Sequence, residues 1–126
     1  MQNFKAPQRD TLFVTNELFG FEEHYQRLGF EDATDDLVRA IYAEAAKFAE
    51  NVLAPINASG DEEGCQFNDR KVVTPKGWKE AYLQYVNDGW QGLSAPVQYG
   101  GQGLPLSLGV IKSEMIGTSN WSWGMY

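Results

Sequence analysis

The sequence is poor in the residues that most often hold metals or act as nucleophiles. Cys65 and His24 are the single cysteine and the single histidine among 126 residues. One thiol has no partner for an internal disulfide, and this usage is typical of reducing compartments. Two such residues are too few for a Cys/His zinc site, and no His-dependent triad is present. These absences exclude both chemistries and favour a cytoplasmic location.

Positive charge is also scarce. Ten Lys and Arg residues stand against 17 Asp and Glu residues, which gives a net charge of −7. Nucleic acids and anionic membranes are bound through basic clusters, and no such cluster is visible. No apolar run approaches the roughly 20 residues that span a bilayer. Residues 1–10 lack the apolar core of a secretory signal. We therefore expect neither nucleic acid nor a membrane as a partner.

The rest of the composition is that of a globular protein. Apolar residues make up 43% of the chain and aromatic residues 13%. Apolar positions recur at helical spacing, and residues 71–74 are the one weak strand candidate. The sequence therefore predicts an all-α fold, a helical bundle of about five to six helices.

The clearest helix is predicted over residues 35–54. Thr34 is a suitable N-cap, and the two aspartates that follow suit the positive end of the helix dipole. Pro55 is expected to stop the helix. The predicted buried stripe of this helix consists of Leu37, Ile41, Ala45, Phe48 and Val52.

A short helix is predicted on the amino-terminal side. Asp10 is a plausible N-cap for a helix that ends near Phe19, and Gly20 then takes the left-handed conformation. A second short helix follows, and its apolar stripe consists of Phe21, Tyr25 and Leu28.

The second half of the chain begins with a predicted loop. Residues 58–71 contain glycines and four acids and are interpreted as a loop. Thr74 followed by Pro75 predicts the start of a helix that Gly89 closes. Pro105 is expected to begin the last long helix. The apolar stripe of that helix consists of Leu104, Leu108, Ile111 and Met115.

The glycine cluster and the aromatic stripe could each bind a ligand, but we favour a purely structural role for both. The glycines of residues 100–103 would let bare backbone approach a phosphate. A dinucleotide fingerprint needs a preceding strand, and residues 93–97 do not resemble one. A tight turn is therefore favoured. An aromatic stripe on a helix is more often core than ligand site. The stripe consists of Trp78, Tyr82 and Tyr85.

Three further side chains carry reactive groups without a visible mechanism. Glu114 borders an apolar stripe, where a carboxylate can become a base. No positioned partner is visible, so an ordinary surface acid is favoured. His24 is expected to be exposed. Cys65 is interpreted as either a surface thiol or a buried anchor of its loop.

Several motifs occur in an order that resembles one protein family. Together they resemble the N-terminal helical domain of acyl-CoA dehydrogenases. Residues 4–14 are similar to the short extension of a larger bacterial subfamily. The resemblance implies an extension over residues 1–33 and the helical domain over residues 34–126. The motifs are ENVLAPIN at 50–57, GDEEG at 60–64, VTPKGWKEAY at 73–82, GWQGL at 89–93 and YGGQGLP at 99–105.

The resemblance implies an FAD-dependent enzyme that oxidises an acyl-CoA thioester between its α and β carbons. A glutamate removes the α-proton, and the flavin accepts the β-hydride. In most members that glutamate lies in a C-terminal part that is missing here, so no catalytic residue is assigned in this chain. FAD is expected to be bound mainly by domains outside this chain. The implied partners are acyl-CoA, an electron-transfer flavoprotein or similar acceptor, and further copies in a homo-oligomer.

The resemblance also places substrate contacts near the end of the chain. In the family, the stretch after the last helix of this domain forms one wall of the acyl cavity. Trp123, Gly124 and Tyr126 are the candidate substrate-binding residues, with Asn120 as a fourth. Packing of a domain junction is an equally weighted role for them. Trp121 and Trp123 are bulky for a long-chain slot, which favours a short acyl group.

The aromatic residues at 121–126 suggest that the chain is part of a longer enzyme and is inactive and colourless alone. The alternative is a non-catalytic helical module that binds another protein. The apolar end and the lack of a catalytic set favour this alternative. Direct binding of CoA is a weaker possibility, because the acidic net charge predicts little or none.

Overall fold

The computed structural model describes residues 4–125, which are mostly helical. This confirms the predicted helical class and adds a small antiparallel hairpin that an all-α bundle does not contain. Within these residues the helices are α1 Gln8–Leu12, α2 Phe21–Arg27, α3 Asp35–Phe48, α4 Asn57–Glu63, α5 Trp78–Asn87, α6 Leu106–Ser119 and α7 Trp121–Gly124, and the strands are β1 Gln66–Asn68 and β2 Lys71–Val73.

The amino-terminal helix begins earlier than predicted. It starts at Gln8, directly after Pro7, so Asp10 lies in the first turn and is not the N-cap. Proline suits the start of a helix because its φ is already helical and it has no amide hydrogen to satisfy. α1 continues into a π-helical turn over Phe13–Leu18. Gly20 then adopts a φ of +59°, which confirms its predicted left-handed conformation.

α3 is capped as predicted. The Thr34 hydroxyl accepts a hydrogen bond from the amide of Leu37 at 3.3 Å. The predicted buried stripe is wrong at its first residue. Leu37 is exposed, and the next residue, Val38, is buried instead. α3 packs mainly on α6, and small side chains on α3 permit the close approach. The buried residues of α3 and the turn after it are Val38, Tyr42, Ala45, Ala46, Phe48, Ala49 and Leu53.

The chain remains helical past Pro55. α3 widens into a π-helical turn over Ala49–Leu53, and a 3₁₀ turn over Ala54–Ile56 then leads into α4. Proline removes one amide donor but keeps a helical φ, so the regular helix ends while the chain still coils. The prediction of a loop over residues 58–71 is therefore wrong.

The two strands form an antiparallel hairpin beside α5. Gln66 pairs with Val73, and Asp69 and Arg70 turn the chain with φ of +48° and +62°. Positive φ at both central residues is typical of hairpin turns that match the strand twist. All six strand residues are exposed, so no alternation of apolar and polar residues marks them.

α5 starts later than predicted. Gly77 has a φ of +87° and separates the helix from a turn in which the Trp78 amide donates to the carbonyl of Pro75 at 3.2 Å. The predicted start at Thr74 and Pro75 is therefore wrong. Gly89 closes α5 with a φ of +77°, as predicted.

α6 buries the face that the sequence indicates. Its first turn follows Pro105, and Leu104, Leu108 and Met115 are buried while Ile111 is half-buried. A second, smaller core cluster lies where α3, α5 and α6 meet, around Phe48. No helix within residues 4–125 has the length and apolar character that crossing a membrane requires.

Candidate functional site

An open cavity of about 690 Å³ lies between the hairpin, α5, α6 and α7. We call it the aromatic cavity. Its wall is mainly apolar, and a cavity of this size accommodates a small organic group. The lining residues that matter below are Trp78, Tyr82, Tyr85, Ile116, Trp123 and Gly124.

Tyr85 and Trp123 in this wall pack on each other and on the buried ring of Phe48. The rings of Tyr85 and Trp123 are 5.7 Å apart at 73°, and those of Phe48 and Trp123 are 5.9 Å apart at 62°. Edge-to-face pairs of this kind add about 0.5–1.5 kcal/mol beyond the area they bury. The three rings therefore hold each other in a fixed arrangement.

The aromatic stripe of α5 borders the cavity instead of filling the core. Tyr82 is 55% exposed, and Trp78 and Tyr85 are half-buried. The core interpretation is therefore wrong for Tyr82. The Trp78 indole rests against Gly60 of α4, where an added Cβ would lie 2.5 Å from Trp78 Nε1. Only glycine leaves room for this ring, so α4 sets the position of the cavity wall.

Asn120 fixes the start of α7 beneath the cavity. Its side chain is 1% exposed. Asn120 Oδ1 accepts from the Trp123 amide at 3.1 Å, and Nδ2 donates to the Leu53 carbonyl at 3.2 Å. The residue caps α7 and ties it to the end of the long helical segment.

The structure brings two of the candidate substrate-binding residues to the cavity. Trp123 and Gly124 line it, whereas Asn120 lies below it as the cap of α7. Tyr126 lies outside the described residues. Trp121 is 70% exposed and lies across Gly117, away from the cavity. The substrate contacts themselves stay predictions.

A buried lysine lies behind the wall, and sequence reasoning missed it. Lys112 is 8% exposed, and its Nζ donates to Tyr85 Oη at 2.6 Å. The signal was available, because Lys112 follows Leu108 by four residues and precedes Met115 by three. That spacing places it on the buried face of α6.

The glycine loop is a tight turn, as favoured from the sequence. Every backbone amide from Gly100 to Leu104 donates to a carbonyl within residues 92–97. A Cβ at Gly101 would lie 2.0 Å from the Ala95 carbonyl oxygen. These amides are already used, so the loop does not fit the diphosphate of a dinucleotide.

The reactive side chains noted in the sequence do not form a catalytic set. Glu114 and His24 are exposed, and Cys65 is an exposed thiol at the cavity rim. Within residues 4–125 no group of three His, Cys, Asp or Glu residues is placed to hold a metal ion.

The phenols and carboxyl with shifted pKa values lie away from the cavity. Burial raises the pKa of the Tyr42 phenol and, more weakly, that of Tyr25, whose hydroxyl lies 2.7 Å from Ser107. A hydrogen bond from Lys5 lowers the pKa of the Glu50 carboxyl. These shifts therefore reflect burial in the core and an ion pair at the amino-terminal segment.

Comparison with known proteins identifies similar sequences along the whole chain. Residues 35–126 match the family model described as acyl-CoA dehydrogenase, N-terminal domain. The chain is 34% identical over 122 residues to 3-methylmercaptopropionyl-CoA dehydrogenase of Ruegeria pomeroyi, which covers 97% of this chain and 21% of that protein.

A second relative is a broad-specificity linear acyl-CoA dehydrogenase of Mycobacterium tuberculosis. It is 24% identical over 128 residues, which covers 100% of this chain and 21% of that protein. The chain therefore spans 21% of the length of both curated relatives.

Proposed function

The chain belongs to the acyl-CoA dehydrogenase family, and we propose that its aromatic cavity forms one wall of the acyl site of an FAD-dependent acyl-CoA dehydrogenase. One observation carries the proposal. Trp123 and Gly124, chosen from the resemblance as substrate contacts, both line an apolar cavity of about 690 Å³. An acyl chain prefers such a surface because its burial removes apolar area from water.

The wall serves the reaction by orienting the acyl chain and excluding water. Removal of an α-proton and a β-hydride requires a dry site and a fixed position of the thioester. Tyr85 and Trp123, which pack on the buried Phe48 ring, supply a rigid apolar surface for this purpose. FAD supplies the acceptor for the hydride when it is bound.

Flavin binding and proton abstraction are assigned outside the described residues. The glycine loop does not fit a diphosphate, because its amides are used within the turn. Glu114 is exposed and does not border the aromatic cavity, so it does not receive the role of the base. We therefore expect this chain alone to be inactive.

A short acyl group is the substrate class that the wall favours. Tyr85 and Trp123 place two large rings in the cavity wall, which leaves less room for a long chain. The relative that shares 34% identity is named for a short acyl thioester, which supports the same size class. The proposed partners are acyl-CoA, an electron-transfer flavoprotein or similar acceptor, and further copies in a homo-oligomer. A cytoplasmic location completes the proposal.

An NMR titration of the ¹⁵N-labelled chain tests the proposal. Butyryl-CoA should shift the indole signal of Trp123 and the amide signal of Gly124, whereas CoA alone should not. CoA is the matched control because it carries every group except the acyl chain. If the two compounds shift the same signals equally, the cavity does not contact the acyl group and the proposal is wrong.

The alternative of a protein-interaction module rests on a different surface. Leu106 and Val110 lie one helical turn apart on α6, and both are largely exposed. Apolar side chains on one helix face are typical of surfaces that another protein covers. Sedimentation of the chain, together with the NMR titration, distinguishes the acyl wall from the interaction module. A monomer that shows the acyl-dependent shifts supports the acyl wall, and self-association without those shifts supports the module.

A further inference from the structure

We propose that a second cavity of this chain binds a small aliphatic carboxylate, whose negative charge is held by Lys112 Nζ. The cavity has a volume of about 390 Å³ and lies between α6 and residues 90–95. We call it the lysine cavity. Lys112 and Trp90 line it and do not line the aromatic cavity, so this binding does not depend on the acyl wall. The lining residues that matter below are Trp90, Leu93, Ser94, Leu106, Val110 and Lys112.

Two contacts place the lysine ammonium group between the two walls of this cavity. Lys112 extends from α6, and its Nζ lies 3.5 Å from the carbonyl oxygen of Trp90 on the facing wall. The hydroxyl of Tyr85 lies 2.6 Å from the same Nζ. Because Nζ reaches a backbone atom of the facing segment, it spans the gap in which the cavity lies. Lys112 is 8% exposed, so its charge lies deep in this gap and not at the open edge.

The ammonium group lacks a negative partner within the part of the chain that the structure describes. Lys112 takes part in none of the ion pairs formed within residues 4–125. A buried charge without a counter-ion has lost hydration and has gained no ionic attraction in return. The ammonium nitrogen has three donors, and one of its two acceptors is at the long distance of 3.5 Å. A bound carboxylate would supply the missing charge and a better acceptor.

The facing wall holds a second donor without an acceptor. Trp90 is 8% exposed, and its indole Nε1 is buried and has no hydrogen-bond partner among residues 4–125. Buried donors that stay unsatisfied are costly, and native proteins satisfy most of them. A carboxylate has two oxygens, so it can accept from an ammonium group and from a second donor at once. An uncompensated charge and an unsatisfied donor in one cavity therefore both point to an anionic acceptor.

The surroundings favour a singly charged acid with an apolar tail. One ammonium group balances one negative charge, and the net charge of −7 repels anions that carry more. Leu106 and Val110 border the cavity, with exposed fractions of 73% and 60%. An aliphatic tail would cover these side chains and remove their apolar area from water. The ligand class is therefore a short aliphatic monocarboxylate.

A free acid suits this cavity better than an acidic side chain of a polypeptide. A polypeptide brings backbone groups that need hydrogen-bond partners of their own. The carbonyls of Gly92, Leu93 and Ala95 already accept from the amides of residues 102–104. Ser94 Oγ donates to the carbonyl of Pro105 at 3.2 Å. The wall along residues 92–95 thus suits a ligand whose only polar group is its carboxylate.

Two probes of matched shape test the binding with the full chain. They are 4-methylpentanoate and 4-methylpentanamide, its uncharged analogue, each added to the ¹⁵N-labelled chain at neutral pH. The carboxylate should shift the indole signal of Trp90 and the backbone signals of Ser94 and Gly109, and these shifts should saturate. It should bind about fivefold to tenfold more tightly than 4-methylpentanamide, as expected when a hydrogen bond gains a charge.

Variants assign the preference to the lysine. Lys112→Met keeps an unbranched side chain and removes the charge, so the ratio of the two affinities should fall to about one. Val110→Ser removes apolar contact and should weaken both probes alike, which leaves the ratio unchanged. Lys71→Met is the matched control, because Lys71 is exposed on β2 and outside the lysine cavity. An unchanged ¹⁵N spectrum away from the cavity shows that each variant is folded.

Four results would overturn the assignment. Equal affinities for the two probes in the unmodified chain, or a preference that survives Lys112→Met, show that the lysine does not hold the ligand. An equal response to inorganic phosphate shows a site for any anion. If N-acetylglutamic acid methylamide binds as tightly as 4-methylpentanoate, the site takes an acidic side chain of a polypeptide. The acyl wall is tested by the signals of Trp123 and Gly124 with butyryl-CoA, so either proposal can fail while the other stands.

Discussion

Trp123 Nε1 donates a hydrogen bond to the backbone carbonyl of Trp78 at 3.2 Å. This bond joins α7 to the first residue of α5, and the two residues are 45 positions apart in the sequence. It also sets the angle at which the Trp123 ring meets Tyr85 and Phe48. The Trp123 indole therefore lines the cavity and also links α7 to α5.

Replacement of this indole should lower stability in a specific way. Trp123→Phe keeps an aromatic ring and removes the hydrogen bond, so the free energy of unfolding should fall by about 1–2 kcal/mol. Urea unfolding followed by circular dichroism measures the change. Trp121→Phe is the control, since Trp121 is largely exposed and should change stability by less than about 0.5 kcal/mol. Equal losses in both variants would contradict the assigned role of Trp123.

Asn120 should be more important for stability than for substrate contact. Asn120→Ala removes the cap of α7 and the bond to the Leu53 carbonyl, so we expect a loss of about 2–3 kcal/mol in unfolding free energy. Asn51→Ala, at an exposed position, is the matched control. A loss no larger than that of the control would show that the buried amide does not hold α7.

Local sequence patterns predict helix caps, left-handed glycines and the buried face of a helix. Thr34 caps α3, Gly20 and Gly89 take left-handed conformations, and the α6 stripe around Leu108 is buried. Each of these depends on residues within one or two turns. α4 and β1 were missed, because their mostly exposed residues show no periodic burial, whereas β2 falls on the weak strand candidate at residues 71–74.

The candidate site was predicted only in part. That part came from the resemblance to a known family and not from the spacing of residues along the chain. Trp123 and Gly124 line the cavity, but no local rule in the sequence indicates it. The contact between Lys112 and Tyr85 joins residues that are 27 positions apart. Its geometry depends on how α5 packs on α6, so spacing along the chain does not reveal it. The burial of Lys112, in contrast, follows from its place on the α6 stripe.

Replacement by alanine should lower stability much less at Gly89 than at Gly101. Gly89→Ala places a Cβ at a φ of +77°, with Gln102 Nε2 at 3.4 Å, and should cost about 1 kcal/mol from backbone strain. Gly101→Ala places a Cβ 2.0 Å from the Ala95 carbonyl oxygen, so the turn must move. The expected loss is about 3 kcal/mol or more. Urea midpoints measure both, and a midpoint unchanged in Gly89→Ala would show that the glycine does not cap α5.

Stability in acid should depend on Glu50. Its carboxyl accepts from Lys5 Nζ at 2.8 Å and from the Ala6 amide at 2.9 Å, which ties the amino-terminal segment to the turn after α3. The hydrogen bond from Lys5 is the main cause that lowers the pKa of Glu50 below its ordinary value of 4.5, and the Ala6 amide adds to it. The folded chain thus binds this proton less tightly than the unfolded chain does.

The sign of the pH dependence follows from that order of pKa values. The stabilisation by Glu50 is fully present above pH 4.5 and is lost as the pH falls from there through the lowered pKa of the folded state. Glu50→Gln keeps the shape and removes the titration. Its stability should therefore fall less between about pH 5 and pH 3, which spans the ordinary value of 4.5, than that of the unmodified chain. Urea midpoints across this range measure the difference. Glu62→Gln, at an exposed position in α4, is the control. Parallel curves for the unmodified chain and Glu50→Gln would show that the amino-terminal segment is not held by this carboxylate.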